Sequence, residues 1–371
     1  MLRATNTSVP QWADTPTIPR TRPQHDVFLG IDVGSTTVKL VAVDPAGRVL
    51  FHRYVRANGQ PRETLLRASG LLEETLPGAS TLGVGLTGSG GEPVAHIVGG
   101  VHANELVTQS RAVGARHRGA RTVIEIGGQD SKFLSVRWDE DRGQMTLLDF
   151  AMNTLCAAGT GSFLDQQAGR LGIAIDGEFA RLALASRSPA RIAGRCTVFA
   201  KSDMIHWQQQ GVPLEDILAG LCLALARNFR SVIGKGKSFT PPVLFQGGVA
   251  RNAAVVRAFE DVLDLEPGGL VVPEHPDLMP AIGAALLAMD EAREGREHPF
   301  RGFGALEASL RDGADRERSL APLAPRPTTV AVGSRGPRPA GAAATSVCLG
   351  IDVGSISTNV VLLDENNQVV A

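Results

Sequence analysis

Phe28–Asp44 reads FLGIDVGSTTVKLVAVD, two apolar runs on either side of a small-residue turn at Gly34-Ser35-Thr36-Thr37. Ile31, Val33, Val38, Val41 and Val43 are β-branched, so the stretch is expected to form a β-hairpin. Its turn lets backbone amides and the hydroxyls of Ser35 and Thr37 approach an anion closely, with Gly34 and Thr36 completing the loop. Asp32 stands just before the turn. A carboxylate beside phosphate calls for a cation between them, and Mg²⁺ typically keeps several waters while taking one or two carboxylates plus phosphate oxygens. Asp32 is therefore a candidate outer ligand of Mg²⁺, and Lys39, just past the turn, a candidate to neutralise phosphate. An Asp-x-Gly hairpin is also an ordinary turn with a helpful side chain. Repetition argues for more: Leu349–Val369, LGIDVGSISTNVVLLDENNQV, repeats Leu29–Val49 at a constant offset of 320, with Leu-Gly-Ile-Asp-Val-Gly-Ser unchanged. A repeat at domain spacing predicts tandem domains, the second copy ending after its first hairpin.

The chain has 371 residues, 43% of them hydrophobic, 42 glycines and a formal net charge of −1. That composition fits a globular α/β protein rich in tight turns. It offers no general electrostatic case for nucleic acid or an anionic membrane. No apolar run reaches the ~20 residues that span a bilayer, and no basic-then-apolar leader opens the chain, so a cytoplasmic protein is expected. A reducing compartment argues against a disulfide framework for Cys156, Cys196, Cys222 and Cys348.

Residues 1–26 carry four prolines and no periodicity, and are expected to be disordered. After the hairpin, Val49–Val55 adds a strand and Arg62–Leu76 has helical spacing, ended by Pro77-Gly78. Leu82–Thr87 is a short strand and Ala103–Ala115 a helix. Arg121–Val136, RTVIEIGGQDSKFLSV, is a second hairpin: strand Thr122–Ile126, the turn Gly127-Gly128-Gln129-Asp130-Ser131, then strand Lys132–Val136. Two acidic-glycine turns can face each other across one phosphate chain. Pro242–Asn252, PVLFQGGVARN, ends a buried strand in Gly247-Gly248 and opens a helix over Ala253–Leu263, a pattern that lets a base or ribose lie against backbone. Pro280–Ala292 is a helix whose Ala281, Gly283, Ala284 and Ala285 permit close packing. Residues 293–345 turn to Gly, Pro, Ala and Arg, a linker composition, which leaves 27–292 as the first domain and 346–371 as the start of the second.

IDVGSTTVK, EIGGQDSK and FQGGVARN, in this order, resemble the phosphate-1, phosphate-2 and adenosine motifs of the acetate and sugar kinase, heat-shock-70 and actin superfamily. NTLCAAGTGSFLDQQAGRLG (Asn153–Gly172) and GRCTVFAKSDMI (Gly194–Ile205) resemble the two cysteine segments of the 2-hydroxyacyl-CoA dehydratase activators, in the BadF/BadG/BcrA/BcrD ATPase family with the ATPase subunits of benzoyl-CoA reductase. The likeness spans about Val27–Met289, and the repeated hairpin resembles the large tandem members. It implies an actin-like ATPase fold, two ribonuclease-H-like lobes around a nucleotide cleft, and an ATPase that couples hydrolysis to low-potential electron transfer. It implies ATP and Mg²⁺ as ligands. Asp32 and Glu125 would arrange the cation and its waters, although the family often has Asp where Glu125 stands. Ser35, Thr36, Thr37, Lys39, Gly127 and Gly128 would hold phosphates, Gln129 or Asp130 would orient the attacking water, and Gly247, Gly248, Arg251 and Asn252 would frame the nucleoside.

The same resemblance implies that Cys156 and Cys196 are ligands of a [4Fe–4S] cluster, since a helix start stabilises thiolate and cluster charge. One domain supplies two of the four thiolates. A homodimer, or a pseudo-dimer within one longer chain, would complete the set at a twofold interface. The implied partners are a dehydratase- or reductase-type acyl-CoA enzyme as electron acceptor and reduced ferredoxin or flavodoxin as donor. Cys222, in the apolar GLCLALARNF, and Cys348 are expected in the core. A nucleophilic Cys156 has no histidine nearby in sequence, His206 being a distant candidate base. Two alternatives share the nucleotide motifs: a small-molecule, amino-sugar type kinase, and a non-catalytic nucleotide-binding fragment. Neither needs the paired cysteine segments.

Overall fold

The two apolar runs around Gly34 pair as an antiparallel hairpin in the computed structural model, which describes residues 25–153, 159–194, 197–266, 268–312, 346–353 and 358–369. β1 (Asp26–Val33) and β2 (Thr37–Val43) are joined by β3 (Val49–Arg56), then α1 (Pro61–Thr75), β4 (Ser80–Thr87), α2 (Gly91–Val98), β5 (Val101–His102) and α3 (Glu105–Arg116). The first sheet has the order β3-β2-β1-β4-β5, with β1 antiparallel to β2 and parallel to β4. β1 is buried along both faces after its first residue, as its continuous Val/Phe/Leu/Ile run requires.

The plan is then repeated. β6 (Thr122–Ile126), β7 (Ser131–Asp139) and β8 (Gln144–Asn153) form a second antiparallel meander. Next come α4 (Gly161–Leu171), α5 (Glu178–Leu184), α6 (Thr197–Gln209) and α7 (Leu214–Val232). β9 (Val243–Gln246) returns parallel to β6, followed by a 3₁₀ turn at Gly248–Arg251, α8 (Ala253–Leu263) and β10 (Leu270–Val271). The order β10-β9-β6-β7-β8 mirrors the first sheet, so β6 stands for β1, β7 for β2 and β9 for β4.

α9 (Met279–Arg293) follows the second sheet in sequence but packs on β1, β2, β4 and α3 of the first lobe. The approach is backbone to backbone. A Cβ added to Gly30 would lie 1.9 Å from the Ala281 carbonyl oxygen, and one on Gly283 1.7 Å from the Thr108 carbonyl oxygen, so only glycine fits either place. Residues of both sheets, Phe28 and Val41 with Val123, Leu134 and Leu244, share one buried cluster with α3 and α9. The lobes are thus joined by a common apolar core, and the turns that begin at Gly34 and Gly127 meet through Ser35 and Gln129.

The segment read as linker begins with packed structure. α10 (Phe303–Asp312) buries Leu306 fully beside α1 and α2, and Phe300 bridges to Gly99, so the ordered packing runs on to Asp312. The Gly/Pro/Arg-rich composition hid a short amphipathic helix. In the second unit, β11 (Cys348–Val353) and β12 (Thr358–Leu363) pair as an antiparallel hairpin in which Asp352 faces Asn359. Cys348, expected in a core, is exposed there, because nothing among the unit's described residues covers either face. Cys222 is buried as expected, and burial pushes its thiol up to about 12. Among the described residues no helix is long and apolar enough to cross a membrane.

Candidate functional site

The two hairpins turn in the same way. Val33 pairs with Val38 and Ile126 with Ser131, so each turn has four residues, closed by hydrogen bonds from Gly34 N–H to the Thr37 carbonyl at 2.9 Å and from Gly127 N–H to the Asp130 carbonyl at 3.0 Å. Behind each turn an acid and a lysine stand opposite one another. Asp32 faces Lys39 with Oδ2 2.9 Å from Nζ, and Glu125 faces Lys132 with Oε2 2.9 Å from Nζ. Register partners on neighbouring strands share a face. One polar row therefore crosses the first sheet as Tyr54, Lys39, Asp32 and Thr87, and another crosses the second as Lys132, Glu125 and Gln246.

Lys132 is 1% exposed and meets three carboxylates, Asp130 at 2.6 Å, Glu105 at 2.8 Å and Glu125 at 2.9 Å. Burial disfavours its charge, but these neighbours outweigh burial and hold the ammonium above its ordinary value. Lys39 behaves likewise: burial opposes, while Asp32, Tyr54 and Glu125 raise it. Burial lifts Glu125 to about 7, with Lys132 pulling down and Asp130 pushing up. Glu105 is raised by burial too, against the pull of Lys132. Two ammonium groups against four carboxylates leave an excess of negative charge, which suits a hydrated divalent cation. Gln246 adds a second sign: its amide is fully buried beside Glu125, and neither polar atom has a hydrogen-bond partner among the described residues. Among those residues no three His, Cys, Asp or Glu side chains form a ready metal cage. Mg²⁺ held through waters and phosphate oxygens does not require one.

The turns meet across the cleft. Ser35 Oγ donates to Gln129 Oε1 at 2.8 Å, and a Cβ on Gly128 would lie 2.5 Å from Thr36 Oγ1. Arg56 on β3 pairs with Asp165 on α4 at 3.2 Å. Gly247 has φ 90° and donates its N–H to Pro276 at 2.6 Å, while Gly248 faces the Tyr54 hydroxyl. The next two expected nucleoside contacts have other engagements. Arg251 pairs with the buried Asp277 at 2.7 Å, and Asn252 spends its side-chain oxygen capping α8 through the N–H groups of Ala254 and Val255. Cys156 and Cys196 lie outside the described residues.

Their flanks do not. Gly161 and Ser162, at the start of α4, donate backbone N–H groups to the carbonyls of Gly127 and Gly128 at 2.8 and 2.9 Å, and Ser131 Oγ donates to the Gly159 carbonyl. The second glycine turn is thereby tied to the chain at Gly159–Ser162. Gly159 also packs against the Asn228 side chain, and Gly194, two residues before Cys196, against Arg227 and the Asn228 backbone. Both cysteine segments therefore border one turn of α7.

Sequence reading did not find Glu105, Lys132, Tyr54 or Gln246. For Lys132 the signal was present, since it follows Glu125 by the seven residues that separate Lys39 from Asp32. Glu105 comes from the first turn of a distant helix, capped by Asn104, and has no local signal.

A family model described as the BadF/BadG/BcrA/BcrD ATPase family matches residues 29–288. The chain is 32% identical over 275 residues to the 2-hydroxyisocaproyl-CoA dehydratase activator of Clostridioides difficile, covering 72% of this chain and 97% of that protein. It is 30% identical over 267 residues to a benzoyl-CoA reductase subunit of Thauera aromatica, covering 70% and 92%. The solved structure of the Clostridium difficile activator with bound ADPNP superposes with a TM-score of 0.62 at 31% identity, covering 73% of this chain and 97% of that one. The duplicated sheets around the acid–lysine rows are those of an actin-like ATPase fold, and the chain belongs to the BadF/BadG/BcrA/BcrD ATPase family.

Proposed function

We propose that this chain is an ATP-hydrolysing iron–sulfur activator that couples hydrolysis to low-potential electron transfer toward a 2-hydroxyacyl-CoA dehydratase- or benzoyl-CoA reductase-like partner. One observation carries the reading: the glycine turn of the second acid–lysine hairpin is hydrogen-bonded to the segment that follows Cys156.

Phosphoryl transfer to water needs positioning and charge stabilisation more than covalent help. Asp32 and Glu125 hold waters of Mg²⁺, with Gln246 beside Glu125 as a further partner for ordered water. The N–H groups of Gly34 and Gly127 close their turns, which leaves the amide of Gly128, the hydroxyls of Ser35, Thr36 and Thr37, and Lys39 to cradle the phosphates. Gln129, now bonded to Ser35, and Asp130, now bonded to Lys132, stand at the second turn where an attacking water is oriented. A γ-phosphate between the turns replaces the Ser35–Gln129 contact, and its loss lets the turns move. The amide and hydroxyl ties of Gly159–Ser162 pass that motion to the cysteine segment.

Gly159, three residues after Cys156, and Gly194, two residues before Cys196, both pack against the same turn of α7. Two thiolates per chain fit half of a [4Fe–4S] ligand set, the other half coming from a second copy or from a tandem domain. Such a cluster supplies one-electron transfer, with reduced ferredoxin or flavodoxin as donor. Val198 and Phe199, two and three residues after Cys196, are 65% and 61% exposed, the apolar surface that a twofold contact would cover.

The test is anaerobic purification with iron and sulfide analysis, mass measurement in solution and variants. About four irons per two chains are expected. Cys156→Ser and Cys196→Ser should each lose the iron and the broad visible absorbance, while Cys222→Ser keeps both. A full iron complement in either of the first two sinks the ligand assignment, and four irons on a monomeric chain sinks the shared cluster.

A further inference from the structure

Tyr54 is the chain's single tyrosine and closes one end of the first polar row. It stands opposite Lys39 on β2, its ring centroid 5.8 Å from Lys39 Nζ, and its hydroxyl is hydrogen-bonded to the Thr37 side chain. Across the cleft the same oxygen lies 2.8 Å from where a Cβ on Gly248 would be. One phenol thus spans from the first phosphate turn to the glycine pair after β9, two elements that must approach the same nucleotide. Burial raises its pKa, so near neutral pH the oxygen carries a proton to donate.

We propose that Tyr54 is a nucleotide-positioning residue whose hydroxyl donates a hydrogen bond to the phosphate chain of a nucleoside di- or triphosphate bound alongside Thr37 and Gly248. Hydrogen bonds to charged oxygens are the strong ones. Through this one the first lobe grips a ligand that the second lobe holds at Gly247 and Gly248. The proposal rests on the nucleotide reading of the cleft.

The experiment is Tyr54→Phe in the full chain, with dissociation constants for ATP, ADP and adenosine by calorimetry and with steady-state hydrolysis. Binding of ATP and ADP should each weaken about tenfold, with KM following, while adenosine binding and kcat stay within about twofold. Gly248→Ala provides a second, independent measurement. Its methyl would press on the Tyr54 oxygen, so removing that oxygen relieves the contact, and the double variant should bind ATP better than the two single losses combined predict. ATP affinity within about twofold of wild type in Tyr54→Phe overturns the proposal, even if thermal stability falls, because the hydroxyl would then be only a latch between lobes. Loss confined to kcat, or strict additivity with Gly248→Ala, overturns it equally. Wild-type protein that takes up neither ATP nor ADP would instead fail the nucleotide reading itself.

Discussion

Lys132 and Glu125 face each other on β7 and β6 with their charged atoms 2.9 Å apart, the relationship that Lys39 holds to Asp32 on the first hairpin. The two pairs differ in company. Lys132 also neutralises Glu105 and Asp130, whereas the contact within 4 Å of Lys39 is Asp32. Lys132→Met would leave Glu125 buried without its counter-charge, so the folded state should lose about 3–5 kcal/mol. Urea unfolding of the variant beside wild type measures this, and an unchanged midpoint would show that the carboxylates are neutralised some other way.

Asp32→Asn keeps the size of the side chain and a hydrogen-bond acceptor for Lys39 but removes the charge that the proposed function assigns to the cation. Mg²⁺-dependent ATP hydrolysis should fall by about 10²–10³ while nucleotide binding persists. Asparagine is the better probe than alanine, which would strand Lys39 at 15% side-chain exposure. Full turnover in the asparagine variant would remove Asp32 from the mechanism.

The link between the second turn and the cysteine segment includes two side-chain hydroxyls, Ser131 to the Gly159 carbonyl and Ser162 to the Gly128 carbonyl. The double variant Ser131→Ala with Ser162→Ala leaves the backbone ties and removes about 1 kcal/mol for each hydroxyl bond. ATP turnover should hold within about threefold, and the effect of ATP on the alkylation rate of Cys156 should shrink. Cys222 offers an internal control, since burial keeps its thiol unreactive. An undiminished ATP effect on Cys156 would mean that the coupling runs through another path.

Glu125 gives a pH dependence with a definite sign. Burial raises its carboxyl from 4.5 to about 7, so between these values the folded chain holds a proton that the unfolded chain has lost. The contribution of this group to stability is complete below about 4.5 and is lost as pH rises through about 7. Glu125→Gln cannot titrate and should flatten the decline between pH 5 and pH 7.5, read from urea midpoints at about five pH values. An equal slope in wild type and variant would place the titration elsewhere.

Much of the site was legible because its chemistry is local. Valine and isoleucine runs around glycine turns announce the hairpins, and the strand Thr122–Ile126 and the helix Ala253–Leu263 fall where expected. Pairings between distant elements were not legible. Nothing near Glu105 in sequence says that α3 will aim it at Lys132, and nothing near Tyr54 says that β3 will lay it over Gly248. Asn252 shows how one residue can satisfy two readings: beside a glycine pair it suggests a nucleoside contact, yet the first free N–H groups of α8 claim its oxygen. α10 was missed because its helical pattern is short and lies in a glycine-rich stretch.

The placement of α9 sets how the molecule can bend. Since that helix belongs to the first lobe, the described chain passes from lobe to lobe twice, once between α3 and β6 and once between β10 and α9. The second passage carries Pro276, which accepts from Gly247 N–H, and Asp277, which holds Arg251. The connection between β10 and α9 and the glycine turn after β9 are thus fastened together by hydrogen bonds at both ends of that turn. A displacement of Gly247 therefore reaches one of the two interlobe crossings through a single hydrogen bond, with no intervening side chain.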